Sequence, residues 1–400
     1  MGKRKNIPQL RFPEFKDEWI AVKLGEIASF SKGKGLSKND ITENGVTECI
    51  RYGELYTTYN ETINSVISKT NINRDDLVIS ETNDIIIPAS GETHIDIAKA
   101  SCVLKSGVAL GGDLNIIKTP NNGVFLSYYL NSSKKQDIAQ LAQGISVVHL
   151  YAGQLSKLWL VLPVLPEQQK IASFFTVIDQ KISQLKHIKN LLEHYKKGVM
   201  QKIFSQEIRF RDEHGNNYPQ WKLMSGDALF TTISNKSHNS DLPILAITQE
   251  NGAIPRNMID YNITVTEQSI DSYKVVEEGD FIISLRSFQG GIEYSNYKGI
   301  CSPAYIILRA IQDIDHRYFK YYFKTERYIT DLNRKLEGIR DGKMVSFKYF
   351  SEIKINVPCK QEQTKIADFL SAIEGKIRVT QFQIEKAEVW KKGLMQQMFC

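Results

Sequence analysis

Glu167-Gln-Gln-Lys-Ile-Ala-Ser-Phe-Phe-Thr-Val-Ile-Asp-Gln-Lys-Ile182 is answered later in the chain by Glu362-Gln-Thr-Lys-Ile-Ala-Asp-Phe-Leu-Ser-Ala-Ile-Glu-Gly-Lys-Ile377. A second pair closes each copy, Lys196-Lys-Gly-Val-Met-Gln-Lys-Ile-Phe204 and Lys391-Lys-Gly-Leu-Met-Gln-Gln-Met-Phe399. Both pairs are offset by 195 residues (362 − 167 and 391 − 196), so no gap is needed between them. The chain is one unit written twice.

Outside this stretch the copies share landmarks rather than sequence. Arg11-Phe12 and Trp19 correspond to Arg209-Phe210 and Trp221, and Gly25-Glu26 to Gly226-Asp227. Asp84-Ile-Ile-Ile87 matches Asp280-Phe-Ile-Ile283, and Pro163 and Pro358 each precede the repeated segment. Each unit is therefore a variable globular part followed by a near-identical helix. The divisions are 1–165, 166–205 (first spacer helix), 206–358 and 359–400 (second spacer helix).

Apolar residues at Ile171, Phe174, Ile178, Ile182, Leu185, Ile188, Leu192, Tyr195, Val199 and Ile203 step by three and four, which marks one helical stripe close to a coiled-coil seam. Ile366, Phe369, Ile373, Ile377, Ile384, Ala387, Trp390, Leu394 and Met398 do the same in the second copy. About forty residues at 1.5 Å each give a rod roughly 60 Å long. Such a stripe needs burial, and the other copy is the simplest partner, paired antiparallel across the returning globular part. The globular parts read as mixed α/β, with short strands near Ile85–Ile87, Leu114–Ile117, Asp280–Ser284 and Ala304–Leu308 and helices near Phe125–Leu141 and Arg317–Leu336. The fold class is α+β.

Composition fits this reading: 400 residues, 42% hydrophobic, and a net charge of +6 that permits nucleic-acid binding without proving it. The longest apolar run, Leu158–Leu162, stops at Pro163 and is too short to span a membrane. Five scattered cysteines form no CxxC pair, so a reduced, cytoplasmic protein without a disulfide framework or zinc site is expected.

Catalytic signatures are missing. No GxxxxGK[ST] phosphate loop occurs, and Gly338-Ile-Arg-Asp-Gly-Lys343 has the wrong spacing. No Pro-Pro exists, which excludes the Asn/Asp-Pro-Pro-aromatic loop of an amino-methyltransferase. Asp341 with Glu352-Ile-Lys354 loosely fits a magnesium nuclease, but the latter two lead into a strand whose polar residues face water. His187 and His194 form no ligand set. No catalytic or metal residue is nominated.

Reading DNA takes cations for phosphates and planar or amide side chains for base edges. In the first unit the candidates are Lys32, Lys34 and Lys38 of a Gly/Ser/Lys loop, Arg51 and Tyr52, and Ser90, Glu92, Thr93 and His94. In the second they are Lys236, the Arg286-Ser287-Phe288-Gln289 turn, and Arg340 with Lys343. The Arg286 turn falls where Ser90–His94 falls in the first copy, counting from Asp280 and Asp84. The Gly/Ser/Lys loop is equally readable as a soluble surface turn, whereas the Arg286 turn is favoured as a base reader over a plain polar hairpin, and Arg340 with Lys343 as phosphate contacts over idle surface charge. The lysines of the first long helix read as a solvated face.

Two variable parts, each followed by a Pro…Glu-Gln-x-x-Ile-Ala helix ending Lys-Lys-Gly-Leu/Val-Met-Gln, resemble the specificity subunits of type I restriction–modification enzymes. Pro8-Gln-Leu-Arg-Phe-Pro-Glu-Phe15 and Leu24-Gly-Glu-Ile-Ala28 are similar to that family's start. The resemblance implies two target-recognition domains, each reading half of a split double-stranded DNA target, with the helices forming an antiparallel coiled coil under internal pseudo-twofold symmetry. It implies two methyltransferase subunits using S-adenosylmethionine, and restriction/translocase subunits using ATP and Mg, as partners. No cofactor, catalysis or membrane contact is expected in this chain. Arg209–Pro219 departs from the opening pattern and reads as a linker. The competing readings are a coiled-coil scaffold with two protein-binding domains, or a Mg-dependent nuclease.

Overall fold

In the buried strand Asp84–Pro88, Ile85, Ile86 and Ile87 make both faces apolar, which demands cover on each side. In the computed structural model, which describes residues 6–238, 241–259, 270–334 and 345–400, the strand lies at the centre of a five-stranded sheet. The strand order there is Ser29–Lys32, Leu114–Lys118, Asp84–Pro88, Ser101–Val103, Thr62–Ile63. The first three pair antiparallel, with Asn115 opposite both Lys32 and Ile87. A four-stranded sheet (Ser68–Thr70, Thr47–Ile50, Ala109–Leu110, Val78–Ile79) and a ribbon of Ile20–Lys23 with Trp159–Leu162 complete the first globular part. Helix Gly123–Asn131 supplies Phe125, Tyr128 and Tyr129 to its core, and Lys135–Leu141 adds Ile138 and Ala139.

The second globular part repeats the plan in shorter form. Phe230–Ile233, Ile306–Ala310, Phe281–Ile283 and Glu293–Tyr294 form its central sheet. Lys222–Ser225 pairs with Lys354–Val357 as Ile20–Lys23 pairs with Trp159–Leu162. In that strand Lys354 faces out while Ile355 and Val357 are buried, the alternation expected of a half-covered strand.

The long helices run Leu165–Phe204 and Lys360–Met398. The chain divides into two compact units, 1–186 with 382–400, and 187–381, so each unit takes the opening part of one helix and the closing part of the other. In the first unit Ile171, Phe175, Ile178 and Ile182 share a core with Met398 and Phe399. In the second, Ile203 and Phe204 share a core with Ile366, Ala367, Leu370 and Ile373. Start meets end in both, so the helices pair antiparallel.

This arrangement accounts for the repeated terminal phenylalanine. Phe399 packs on Phe125, Tyr129 and Phe175 at 5.6, 5.6 and 5.7 Å between ring centroids. Phe204 packs on Tyr318 and Tyr322, both at 5.6 Å. Truncating either ring in such a site costs about 3–5 kcal/mol.

The repeated Glu-Gln pair is explained as well. Glu167, wholly buried, receives Arg11 through two 2.7 Å bonds and the Trp19 indole N–H at 3.4 Å. Glu362 receives Arg209 at 3.1 and 2.7 Å and Trp221 at 2.9 Å. Gln168 donates to the Pro163 carbonyl and accepts from the Asn122 N–H, as Gln363 does with Pro358 and Asp315. Arg209 and Phe210 thus belong to the framework, which corrects their reading as linker: Phe210 meets Phe369 edge-on at 5.6 Å, as Phe12 meets Phe174 at 5.8 Å.

A third repeated device ties helix to helix. Lys391 bonds Asp179 and Glu61, and Asp179 also accepts from the Tyr128 hydroxyl at 2.5 Å. In the second unit Lys196 bonds Glu374, which accepts from Tyr321 at 2.8 Å and Lys320 at 2.7 Å. Three assignments along the stripe need correction. Ile188, Tyr195 and Trp390 are 45%, 53% and 55% exposed, while Phe175 and Leu370, one residue after the expected Phe174 and Phe369, are fully buried. Near its start each helix lies on a globular part as well as on its partner, so the buried face widens there. Leu185 and Ile384 are buried as expected; Leu192, Ile377 and Leu394 are half-buried.

Candidate nucleic-acid interface

In the first unit, the strand Ser29–Lys32 replaces the front of the expected Gly/Ser/Lys loop, because its backbone pairs with Leu114–Lys118. Lys32, exposed at the strand end, places its Nζ 5.8 Å from the Tyr151 ring centre. The chain then turns at Gly33, where a Cβ would lie 1.9 Å from the Gly111 carbonyl oxygen, so only glycine fits. Lys34 and Lys38 follow on the surface.

Tyr151 stacks on His149 at 6.1 Å, and His149 lies opposite Ser90 in a two-residue antiparallel ribbon. The Ser90 carbonyl accepts from the Tyr56 hydroxyl at 2.8 Å, and Tyr56 meets Tyr52 edge-on at 6.3 Å. A chain of contacts therefore joins Lys32, Tyr151, His149, Ser90, Tyr56 and Tyr52. Buried Asn115 holds this face in place by donating to the Leu150 carbonyl at 2.9 Å.

Ser90 itself is buried and its strand is followed by a one-turn helix, His94–Ile97, capped by Thr93. Glu92, Thr93 and His94 are exposed, and Thr93 is held by Asp96 at 2.6 Å. Arg51 is engaged within the fold: it bonds Glu54 at 3.1 Å, and Glu54 accepts from Ser68 at 2.6 Å. The neighbourhood is not uniformly basic. Burial raises the Tyr56 phenol, and the negative charges of Asp96, Asp113 and Glu92 add to the rise. Tyr56 stays a neutral donor.

In the second unit the Arg286 turn is a single helical turn, Ser287–Gly290, rather than a loop. Arg286 and Gln289 are exposed. Ser287 is buried because its hydroxyl accepts from the Ser284 N–H at 2.8 Å, so it shapes the turn and does not face outward. For Phe288 the structure places the backbone in this turn. Lys324 fastens the turn from beneath, donating to Gly290 O at 2.9 Å and to buried Glu293 at 2.6 Å. Lys236 is exposed beyond Phe230–Ile233. Arg340 and Lys343 lie outside the described residues, as does Asp341.

Tyr151 and His149 were not nominated from sequence, because nothing local links them to Lys32 or Ser90 before the strands pair. Among the described residues no group of three or more His, Cys, Asp or Glu side chains could hold a metal ion. Burial pushes the Cys49 thiol up to about 11 and those of Cys102 and Cys301 up to about 12, which keeps them protonated and unreactive at neutral pH. No described helix is long and apolar enough to cross a membrane.

The sequence pattern of the type I restriction modification DNA specificity domain matches this chain twice, over residues 16–194 and 222–389. The type I restriction enzyme MjaVIII specificity subunit of Methanocaldococcus jannaschii is 24% identical over 98% of the chain and 93% of its own length. The MjaX specificity subunit of the same organism is 25% identical over 71% of the chain and 70% of its own length. Among solved structures, the S subunit of a type I restriction-modification system from M. genitalium superposes with a TM-score of 0.62 at 16% identity, covering 98% and 99% of the two chains. A chain from a study of complex assembly and conformational transition of the type I R-M system gives 0.52 at 17% identity, covering 95% and 97%.

Proposed function

The chain belongs to the type I restriction modification DNA specificity family, and from that membership we propose how its two surfaces divide the task. It is a non-catalytic subunit that recognises DNA within a multi-subunit complex. Each unit reads one half of a bipartite duplex target. The observation that carries this division is one framework built twice with unlike residues at its face: Lys32, Tyr52, His149 and Tyr151 on the first, Arg286 and Gln289 on the second. A guanidinium and an amide suit G and A edges in the major groove, and Lys32 suits a phosphate.

Partner subunits supply the chemistry: two methyltransferase subunits with S-adenosylmethionine, and restriction/translocase subunits with ATP and Mg. A feature of the long helices supports a partner bound twice. Gly198 and Gly393 lie inside helices, where an added Cβ would meet nothing within 4 Å. Glycine there costs about 1 kcal/mol relative to alanine, and nothing within this fold requires it. Close approach by an outside molecule would. The exposed rings of Tyr195 and Trp390 lie three residues before each glycine, so the same surface is presented twice.

The test is binding of duplex DNA by the full-length chain in its native complex across a salt series, with sequencing of modified bases in cells with and without the gene. Salt-dependent binding and a gene-dependent split motif are expected. Neither would appear for a scaffold that binds only proteins.

A further inference from the structure

The hairpin beside the first unit's recognition face carries an apolar tip, and we infer that Ile145 contacts the C5-methyl group of a thymine in the target duplex. This rests on the DNA-reading assignment above. Between buried Ala142 and Val148, residues 143–147 are all exposed. The hairpin is closed by two backbone bonds, Gln143 N–H to His149 O at 2.9 Å and His149 N–H to Gln143 O at 2.7 Å. Gly144 has φ +125°, and a Cβ there would lie 2.0 Å from the Val147 carbonyl oxygen. The turn is therefore built for glycine at 144, and it delivers Ile145 to the tip with 98% of its surface exposed, followed by Val147 at 53%.

Exposed loop tips ordinarily carry small or polar residues. A bare isoleucine on a hydrogen-bonded turn gains nothing from its own fold. Its neighbours indicate what covers it: the foot of the hairpin is the Val148–His149 strand paired with Ser90–Gly91, next to Tyr151 and Lys32. The tip thus stands at the edge of the cation–aromatic face assigned to DNA. Base edges in the major groove offer one apolar feature, the thymine methyl. A β-branched side chain is stiff, so it loses little rotamer freedom on contact.

The test uses the full-length chain in its native complex and duplexes carrying its modified motif, with each thymine replaced in turn by deoxyuridine, which removes only that methyl. One replacement should weaken wild-type binding about fourfold, the effect of one buried methyl. Ile145→Ala should weaken binding to the thymine duplex similarly, and the sensitive deoxyuridine replacement should cost the variant nothing further. The inference is overturned if no replacement affects the wild type, if Ile145→Ala binds all duplexes as tightly as wild type, or if the two losses add, which would make Ile145 a contact to sugar or a base step. A wild type with no preference for the motif over a scrambled duplex would overturn the DNA-reading assignment together with this one. Because Ile145 is exposed, the variant folds, and circular dichroism confirms it.

Discussion

Replacing Glu167 by Gln removes one charge from a carboxylate that is wholly buried and holds Arg11 through two 2.7 Å bonds. The size is preserved, so no cavity forms; what remains is a guanidinium, 11% exposed, without its counter-charge. Breaking such a pair by removing one partner costs about 3–5 kcal/mol. The partial exposure of Arg11 and the amide's remaining acceptor oxygen favour the lower end, about 3 kcal/mol. Arg11, Trp19 and the opening part of the first long helix, which carries Glu167, all lie in the first unit, so local opening there should rise roughly a hundredfold while the second unit keeps its protection. Hydrogen exchange read by mass spectrometry measures this directly. Glu362→Gln, which unseats Arg209 and Trp221, should produce the mirror result. Unchanged exchange in the first unit, or equal loosening of both, would refute the reasoning that Glu167 is the keystone of one unit only.

Other expectations follow from the same geometry. Arg286→Ala should relax one half of the modified motif and leave the other intact, read by sequencing of modified bases; uniform weakening across sequences would make Arg286 a phosphate contact. Burial would raise Glu374, but Lys196, Lys320 and the Tyr321 hydroxyl outweigh it and hold the carboxyl at about 2. A folded-state value below the unfolded one means the stabilisation is present above about pH 4.5 and is lost as pH falls towards 2. Because the side chain is 40% exposed, screening reduces the contribution to about 1 kcal/mol. Glu374→Gln should therefore be less stable by that amount at pH 6, with the gap closing on acidification in denaturant titrations. Substituting Gly198 and Gly393 by Leu should leave thermal stability near wild type and abolish co-purification of the methyltransferase partner; retained co-purification would place the partner elsewhere.

The repeat, the two long helices and the doubled framework were legible because their signals are local or recur at one offset. The role of Glu167 was not, since Arg11 lies 156 residues away and only folding brings the two together. Periodicity located a stripe but could not show that Phe175 and Leu370 face a globular part, or that Tyr195 and Trp390 face out. At the recognition faces, residue type identified Lys32, Tyr52 and Arg286 as candidates. It misplaced Ser287, whose hydroxyl turns inward to a backbone N–H, and missed His149 and Tyr151, which reach Lys32 only through the pairing of Val148–His149 with Ser90–Gly91.

The central claim is that two unlike faces on a doubled framework read separate halves of one DNA target. Exchanging residues 206–358 for the corresponding segment of a relative with a different modified motif, and sequencing modified bases in cells expressing the hybrid, tests it most directly. One half of the motif should change to that of the donor while the other half stays as in wild type. A motif that changes in both halves, or in neither, would contradict the claim.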